Sequence, residues 1–163
     1  MTTSASATRA ADSLSITGVT GLAYPLSLFA EFERAVDTGG TETLAEISDA
    51  TSANYLRVFV NGSDQGACSV NSGSVSQAGV AVTGSIALAT TTKLAARVAA
   101  NSVQTARGGS LGTEDTAVTV PATPTRIHFG QNEANANLSF GYLRRAAIWN
   151  RALTDAELQS VTT

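Results

Sequence analysis

Alternation of apolar and polar side chains with a period of two recurs along this 163-residue chain, and it restricts the fold to short strands with one buried face. Leu26, Leu28, Ala30 and Phe32 share one face of a strand, with Ser27, Phe29, Glu31 and Glu33 on the other. Leu56, Val58 and Val60 alternate with Tyr55, Arg57 and Phe59, and the run stops at Asn61-Gly62, a hairpin signal. Leu94, Ala96, Val98 and Ala100 alternate with Lys93, Ala95, Arg97 and Ala99; alanine favours helix, but the neighbouring segments argue for strand here too. Shorter pieces fit the same template: Leu14 to Ile16, Leu44 to Ile47, Cys68 to Val70, Val80 to Val82, Ile86 to Leu88, Val103 to Ala106, Val118 to Val120 and Ile127 to Phe129. Turn signals separate them at Thr38-Gly39-Gly40, Ser72-Gly73-Ser74, Gly108-Gly109-Ser110 and the Pro121 and Pro124 pair. Many short strands with regular turns predict two antiparallel sheets packed face to face. With no linker or internal repeat, the expected organisation is a flexible N-terminal arm over 1–12 and a single domain over 13–163.

The one helical signal lies at the C-terminus. Thr154 suits an N-cap, Glu157 completes a capping box at N3, and Leu153 and Leu158 take the staple positions. The strand before it breaks alternation: Leu138, Phe140 and Tyr142 share a face, yet Leu143, Ala146, Ile148 and Trp149 are apolar as well. Either a bulge at Leu143 to Arg145 or burial on both sides beneath the helix accounts for this.

Composition excludes several classes. Charged residues make up 14% of the chain with a net charge of −3 and no basic run, which disfavours nucleic-acid binding. No apolar run approaches the roughly 20 residues of a membrane span, so no membrane insertion is expected. The Ser/Thr/Ala-rich stretch Met1 to Ala11 does not read as a signal peptide. The single Cys68 cannot make an internal disulfide and reads as a small buried hydrophobe. One His and one Cys leave no basis for a zinc site of nitrogen and sulfur ligands. His128 reads as a solvated strand residue beside Arg126. Arg144, Arg145 and Arg151 read as partners of nearby surface acids, and Arg9 and Asp12 as another such pair.

The closing run Leu143, Ala146, Ile148, Trp149, Asn150, Arg151, Ala152, Leu153, Thr154 and Glu157 resembles the last strand and turn of laminin-G-like, concanavalin A-like jelly-roll domains. The opening Thr8-Arg9-Ala10-Ala11-Asp12 and the pattern from Leu143 to Gln159 resemble such domains in bacteriophage tail and fibre proteins. The resemblance implies an all-β, two-sheet antiparallel jelly-roll sandwich with one short C-terminal helix, with Trp149 packed at the helix junction. It also implies a non-enzymatic virion surface module, a tail, fibre or capsid decoration protein made in a host cytoplasm. Its partners would be other virion proteins and a host-surface glycan, and the chain would form a homo-oligomer, a trimer by analogy. A carbohydrate-binding module and a secreted bacterial adhesin stand as alternatives, with a glycoside hydrolase less favoured.

Jelly rolls that cut glucans need paired carboxylates aimed into one groove. Glu46-Ile47-Ser48-Asp49 lacks the second carboxylate, and Glu31 with Glu33 lacks an aromatic platform, so no catalytic residues are expected. Glycan binding needs an aromatic face and amide groups, for which Tyr55 and Phe59 on one strand face, Tyr24, and the amide-rich loop Gln131 to Asn137 are candidates. The expected ligand-binding residues are Tyr55, Phe59, Gln131, Asn132, Asn135 and Asn137, with a plain solvated turn as the loop's other reading. No cofactor is expected, calcium being the one left open. Asp37, Thr38, Glu42, Asp64, Glu114, Asp115, Asn132 and Glu133 supply loop oxygens without forming a ligand string.

Overall fold

The structure, a computed structural model, describes residues 14–163; the proposed arm over 1–12 and the Arg9–Asp12 pair lie outside them. Eleven strands and one helix follow in order: β1 Leu14–Thr17, β2 Leu26–Arg34, β3 Glu42–Ser48, β4 Tyr55–Val60, β5 Gly66–Ser72, β6 Val75–Ala81, β7 Thr91–Ala99, β8 Ser102–Arg107, β9 Ser110–Leu111, β10 Arg126–Phe129, β11 Gly141–Trp149 and α1 Asp155–Thr162. They form a six-stranded sheet A, order β1-β10-β3-β4-β5-β6, and a five-stranded sheet B, order β11-β2-β7-β8-β9. All named pairings are antiparallel. The fold is an all-β sandwich with one short C-terminal helix.

The inward faces are those the alternation marks. Leu26, Leu28, Ala30 and Phe32 of β2 and Leu94, Ala96 and Val98 of β7 meet Leu44, Ile47, Leu56, Val58, Val60, Cys68 and Val70 from sheet A. A second apolar layer lies on the outside of sheet B, where Phe29, Ala95 and Ala106 pack against Leu153 and Leu158. Ala95 of β7, with Ala106 of β8, gives a low surface on which α1 rests, while Ala96 faces the inner core. Trp149 meets Phe29 edge-on, with ring centroids 6.4 Å apart, so it packs at the strand–helix junction. The capping box forms in both directions between Thr154 and Glu157, a cap that contributes about 1 kcal/mol.

Register shifts between Leu143 and Arg145 where β11 meets β2, so a bulge breaks the alternation there; beyond it Ile148 packs on the inner core while Ala147 and Trp149 pack beneath α1, so burial on both sides holds as well. Arg144 pairs with Glu33, Arg145 with Glu31 and Arg151 with Glu157. Two expected strands are loops: Ile86 to Leu88 and Val118 to Val120 carry no strand pairing. Ile86 plugs the core from one loop, and Val118 with partly buried Val120 from the other. Three residues of alternation do not separate such a plug from a strand.

Candidate functional site

Strand register lays polar side chains across the outer face of sheet A in two adjacent rungs. One reads Ser15, His128, Glu46, Arg57, Ser69 and Gly79 from β1 to β6; the next reads Thr17, Arg126, Ser48, Tyr55, Asn71 and Ser76. Because side chains alternate across a strand, burying Ile47, Leu56, Val58 and Ile127 inward sends these residues outward.

The loop between β10 and β11 folds back over this face. Its base is closed by Gly130 N–H to Leu44 O at 3.0 Å, Ser139 N–H to Gly130 O at 2.9 Å and Thr43 N–H to Asn137 O at 2.8 Å. Its tip is held by Glu133, whose backbone N–H donates to Glu46 Oε1 at 2.7 Å. The Glu133 carboxylate accepts from Ser48 Oγ at 2.8 Å and Arg126 Nη1 at 2.5 Å, and bonds His128 Nε2 at 2.7 Å. Burial alone would raise the Glu133 carboxyl, but the bonds from Ser48 and His128 and the charge of Arg126 hold it below the usual carboxylate range. Glu46, 1% exposed, goes the other way: burial raises it above that range, and neither the Glu133 amide nor Arg57 offsets this.

Beside the loop lies an open groove of about 190 Å³ lined by Glu46, Ser52, Tyr55, Arg57, Asn71, Asn132, Glu133 and Ala134. Arg57 forms its most distinctive wall. Its guanidinium carbon stands 5.2 Å from the Tyr55 ring centre and 5.0 Å from that of Phe59, a cation held between two π faces. Its Nε donates to nothing, and the nearest carboxylate oxygen, Glu46 Oε2, is 4.0 Å away. Arg57 is thus held by two aromatic rings, with Glu46 as a distant ion partner and its Nε buried without a bond.

Of the expected ligand-binding residues, Tyr55 and Asn132 line the groove, and Phe59 flanks Arg57 from below it. Gln131 does not: it is buried, 1% exposed, with Nε2 3.5 Å from His128 Nδ1, because the chain turns inward before the loop rises. Asn135 and Asn137 are exposed outside the groove, and both take the left-handed backbone (φ 53° and 52°) that asparagine tolerates in turns. His128 is not solvated; the loop buries it, 3% exposed, against Glu133. Tyr24 packs against the core between the sheets. Arg57, Glu133, Asn71 and Ser52 were absent from the expected set. For Arg57 a signal existed, since it stands between two aromatic residues on one strand face.

The acidic loop residues find cations within the chain. Asp37, Glu42 and Asp64 converge on Arg34, 2% exposed, and Glu114 pairs with Arg97. Among the described residues, no group of three His, Cys, Asp or Glu side chains is arranged to hold a metal ion. Among them, too, no helix is long and apolar enough to cross a membrane.

A family model described as the concanavalin A-like lectin/glucanases superfamily matches residues 8–159. The chain belongs to this Laminin_G_3 family. No curated protein is similar to it in sequence at a significant level. Among solved structures, this Laminin_G_3 domain is similar to the CBM40 module of the Ruminococcus gnavus IT-sialidase bound to α2,6 sialyllactose, with a TM-score of 0.72 and 10% identity over 93% of this chain and 96% of that one. It is similar to the heptameric SAP-like pentraxin of Limulus polyphemus, with a TM-score of 0.66 and 14% identity over 85% of this chain and 70% of that one. It is also similar to part of the NanB sialidase of Streptococcus pneumoniae, with a TM-score of 0.70 and 13% identity over 92% of this chain and 27% of that one. At such identities the likeness is one of fold.

Proposed function

We propose that this domain is a non-catalytic glycan-binding module that takes an acidic sugar on the outer face of sheet A. The observation that carries this is Arg57, a guanidinium held between Tyr55 and Phe59 in the wall of an open polar groove. A sugar carboxylate would take the guanidinium donors, while Asn71, Asn132 and Ser52 offer partners for hydroxyls. The R. gnavus module, similar in fold, is bound to sialyllactose, an acidic sugar, which supports this ligand class. Glycosidase chemistry needs a carboxylic acid and a free carboxylate flanking one bond. Here both Glu133 oxygens are occupied and Glu46 Oε1 holds the loop.

Calorimetric titration with sialyllactose and lactose, preceded by a glycan array, tests the reading. Wild-type protein binds the acidic sugar, Arg57→Gln loses at least tenfold in affinity, and lactose binds far more weakly. Absence of binding to every glycan on the array refutes the reading, as does unaltered affinity in Arg57→Gln.

We also propose that the module is displayed as a homo-oligomer on a virion, a placement supported by the opening Thr8 to Asp12 and the pattern from Leu143 to Gln159. Mass spectrometry of purified particles tests the placement, and light scattering on the purified protein tests the assembly.

A further inference from the structure

We infer that Glu133 is the positioning residue of the glycan site: its clamp on β3 and β10 holds the amide loop in the shape that makes the groove. The inference rests on the reading of the site proposed above. The loop supplies three groove-lining residues in succession, Asn132, Glu133 and Ala134. Its internal bonds give it a preformed turn, with Ala136 N–H to Asn132 Oδ1 at 2.8 Å and Asn135 N–H to Asn132 O at 2.9 Å. Those bonds shape the turn but do not fix it to the sheet. The base is tied to β3 by the Gly130–Leu44 and Thr43–Asn137 backbone bonds, and the tip is fixed by four bonds that all end on Glu133, from its amide to Glu46 and from Ser48, Arg126 and His128 to its carboxylate.

The arrangement divides labour between residues that line the groove and residues that do not. Ser48 and Arg126 lie on the adjacent rung, outside the groove lining; both bond the Glu133 carboxylate, and Ser48 also stands opposite Tyr55 in the register. A Glu133 that only contacted the sugar would leave the loop's shape, and so its amide exchange, unchanged on truncation. A clamp makes binding depend on both Ser48 and Arg126, and it makes their effects overlap, since each acts through the same carboxylate. The carboxylate also uses a planar, two-oxygen acceptor for three donors on two strands, which a glutamine cannot reproduce with one oxygen.

Hydrogen exchange and sialyllactose titration on the intact chain test this in Glu133→Ala, Ser48→Ala, Arg126→Gln and the Ser48→Ala/Glu133→Ala double variant. Exchange needs no ligand: amides of 131–136 exchange at least tenfold faster in Glu133→Ala, while those of β4 and β7 keep wild-type rates. Affinity falls about tenfold in Glu133→Ala and severalfold in Ser48→Ala and Arg126→Gln, and the double variant is no weaker than Glu133→Ala alone. Unchanged loop exchange in Glu133→Ala, or affinities within twofold of wild type in both Ser48→Ala and Arg126→Gln, overturns the inference and leaves the glycan reading standing. A wild-type protein that binds no glycan overturns both.

Discussion

Replacing Arg34 should test how far this sandwich depends on one buried ion network. Arg34 ends β2 and is 2% exposed, yet its guanidinium uses every nitrogen. Nε and Nη2 bond Glu42 at 3.1 and 2.9 Å; Nη1 takes Asp64 Oδ1 at 2.8 Å and the Ile86 carbonyl at 3.1 Å; Nη2 reaches Asp37 at 3.2 Å. The bonds to Glu42, with those to Asp64, outweigh burial and hold the guanidinium pKa above its ordinary value. Arg34→Met keeps the hydrophobic stem but leaves the Glu42 carboxylate, 0% exposed, without a cation and with only the Thr38 amide and hydroxyl as donors. Breaking such a buried pair from one side costs about 3–5 kcal/mol. Against a total stability of roughly 5–15 kcal/mol that is a large share. At about 2–4 °C per kcal/mol for a chain of this size, a loss of about 4 kcal/mol lowers Tm by roughly 8–16 °C. The Ile86 loop should loosen too, since it loses the donor to its carbonyl. The decisive comparison is Arg34→Met with Arg34→Met/Glu42→Met in urea titrations. Replacing both partners by apolar groups removes the uncompensated charge, so the double variant should recover more than half of the loss. A single variant within about 1 kcal/mol of wild type, or a double variant no better than the single, would refute the reasoning.

Two further perturbations read the buried groups directly. Burial raises the Glu46 carboxyl in the folded state, so between the unfolded value and the folded one the native state holds more protons, and stability falls as pH rises through that window. Glu46→Gln keeps a carbonyl for the Glu133 amide without the charge. In urea titrations it should be more stable than wild type at pH 8 and nearly equal to it at pH 4; lower stability at pH 8 contradicts the assignment. Cys68 is fully buried, and burial pushes its thiol up to about 11, against the opposing bond from Thr105 Oγ1 at 3.0 Å. Its reaction with a disulfide reagent at pH 8 should therefore proceed only at the rate of unfolding, and fast labelling of the native protein would show that the thiol is accessible.

The parts of this protein legible in its sequence are those fixed by neighbours in the chain. Thr154 and Glu157 are three residues apart, so a capping box is a local event, and the apolar run through Leu143 announced the bulge of β11 because alternation fails at the bulge itself. The inner faces of β2, β4 and β7 were legible for the same reason: one residue in two must face the core. The site was only half legible, because it is made by register between distant strands. Tyr55, Arg57 and Phe59 share a strand, and their shared face follows from spacing. That Glu46 stands beside His128 follows from β10 pairing with β3, and that Glu133 descends on both follows from how an amide-rich loop closes on Leu44 and Thr43. The two carboxylates were visible only separately, Glu46 as an acid without a neighbour and Glu133 as one loop oxygen among several. His128 read as solvated because nothing local to Arg126 and His128 reveals the lid above them. At Arg34 only Asp64 comes from a distant turn; Asp37 and Glu42 are three and eight residues along the chain, yet alternation gives no sign that this last residue of β2 points inward to meet them. What decides function here is therefore less the residue types than which strand lies next to which. A second chain with this Tyr-x-Arg-x-Phe strand but a different neighbour for β3 would bring other side chains beneath the loop and lose the clamp.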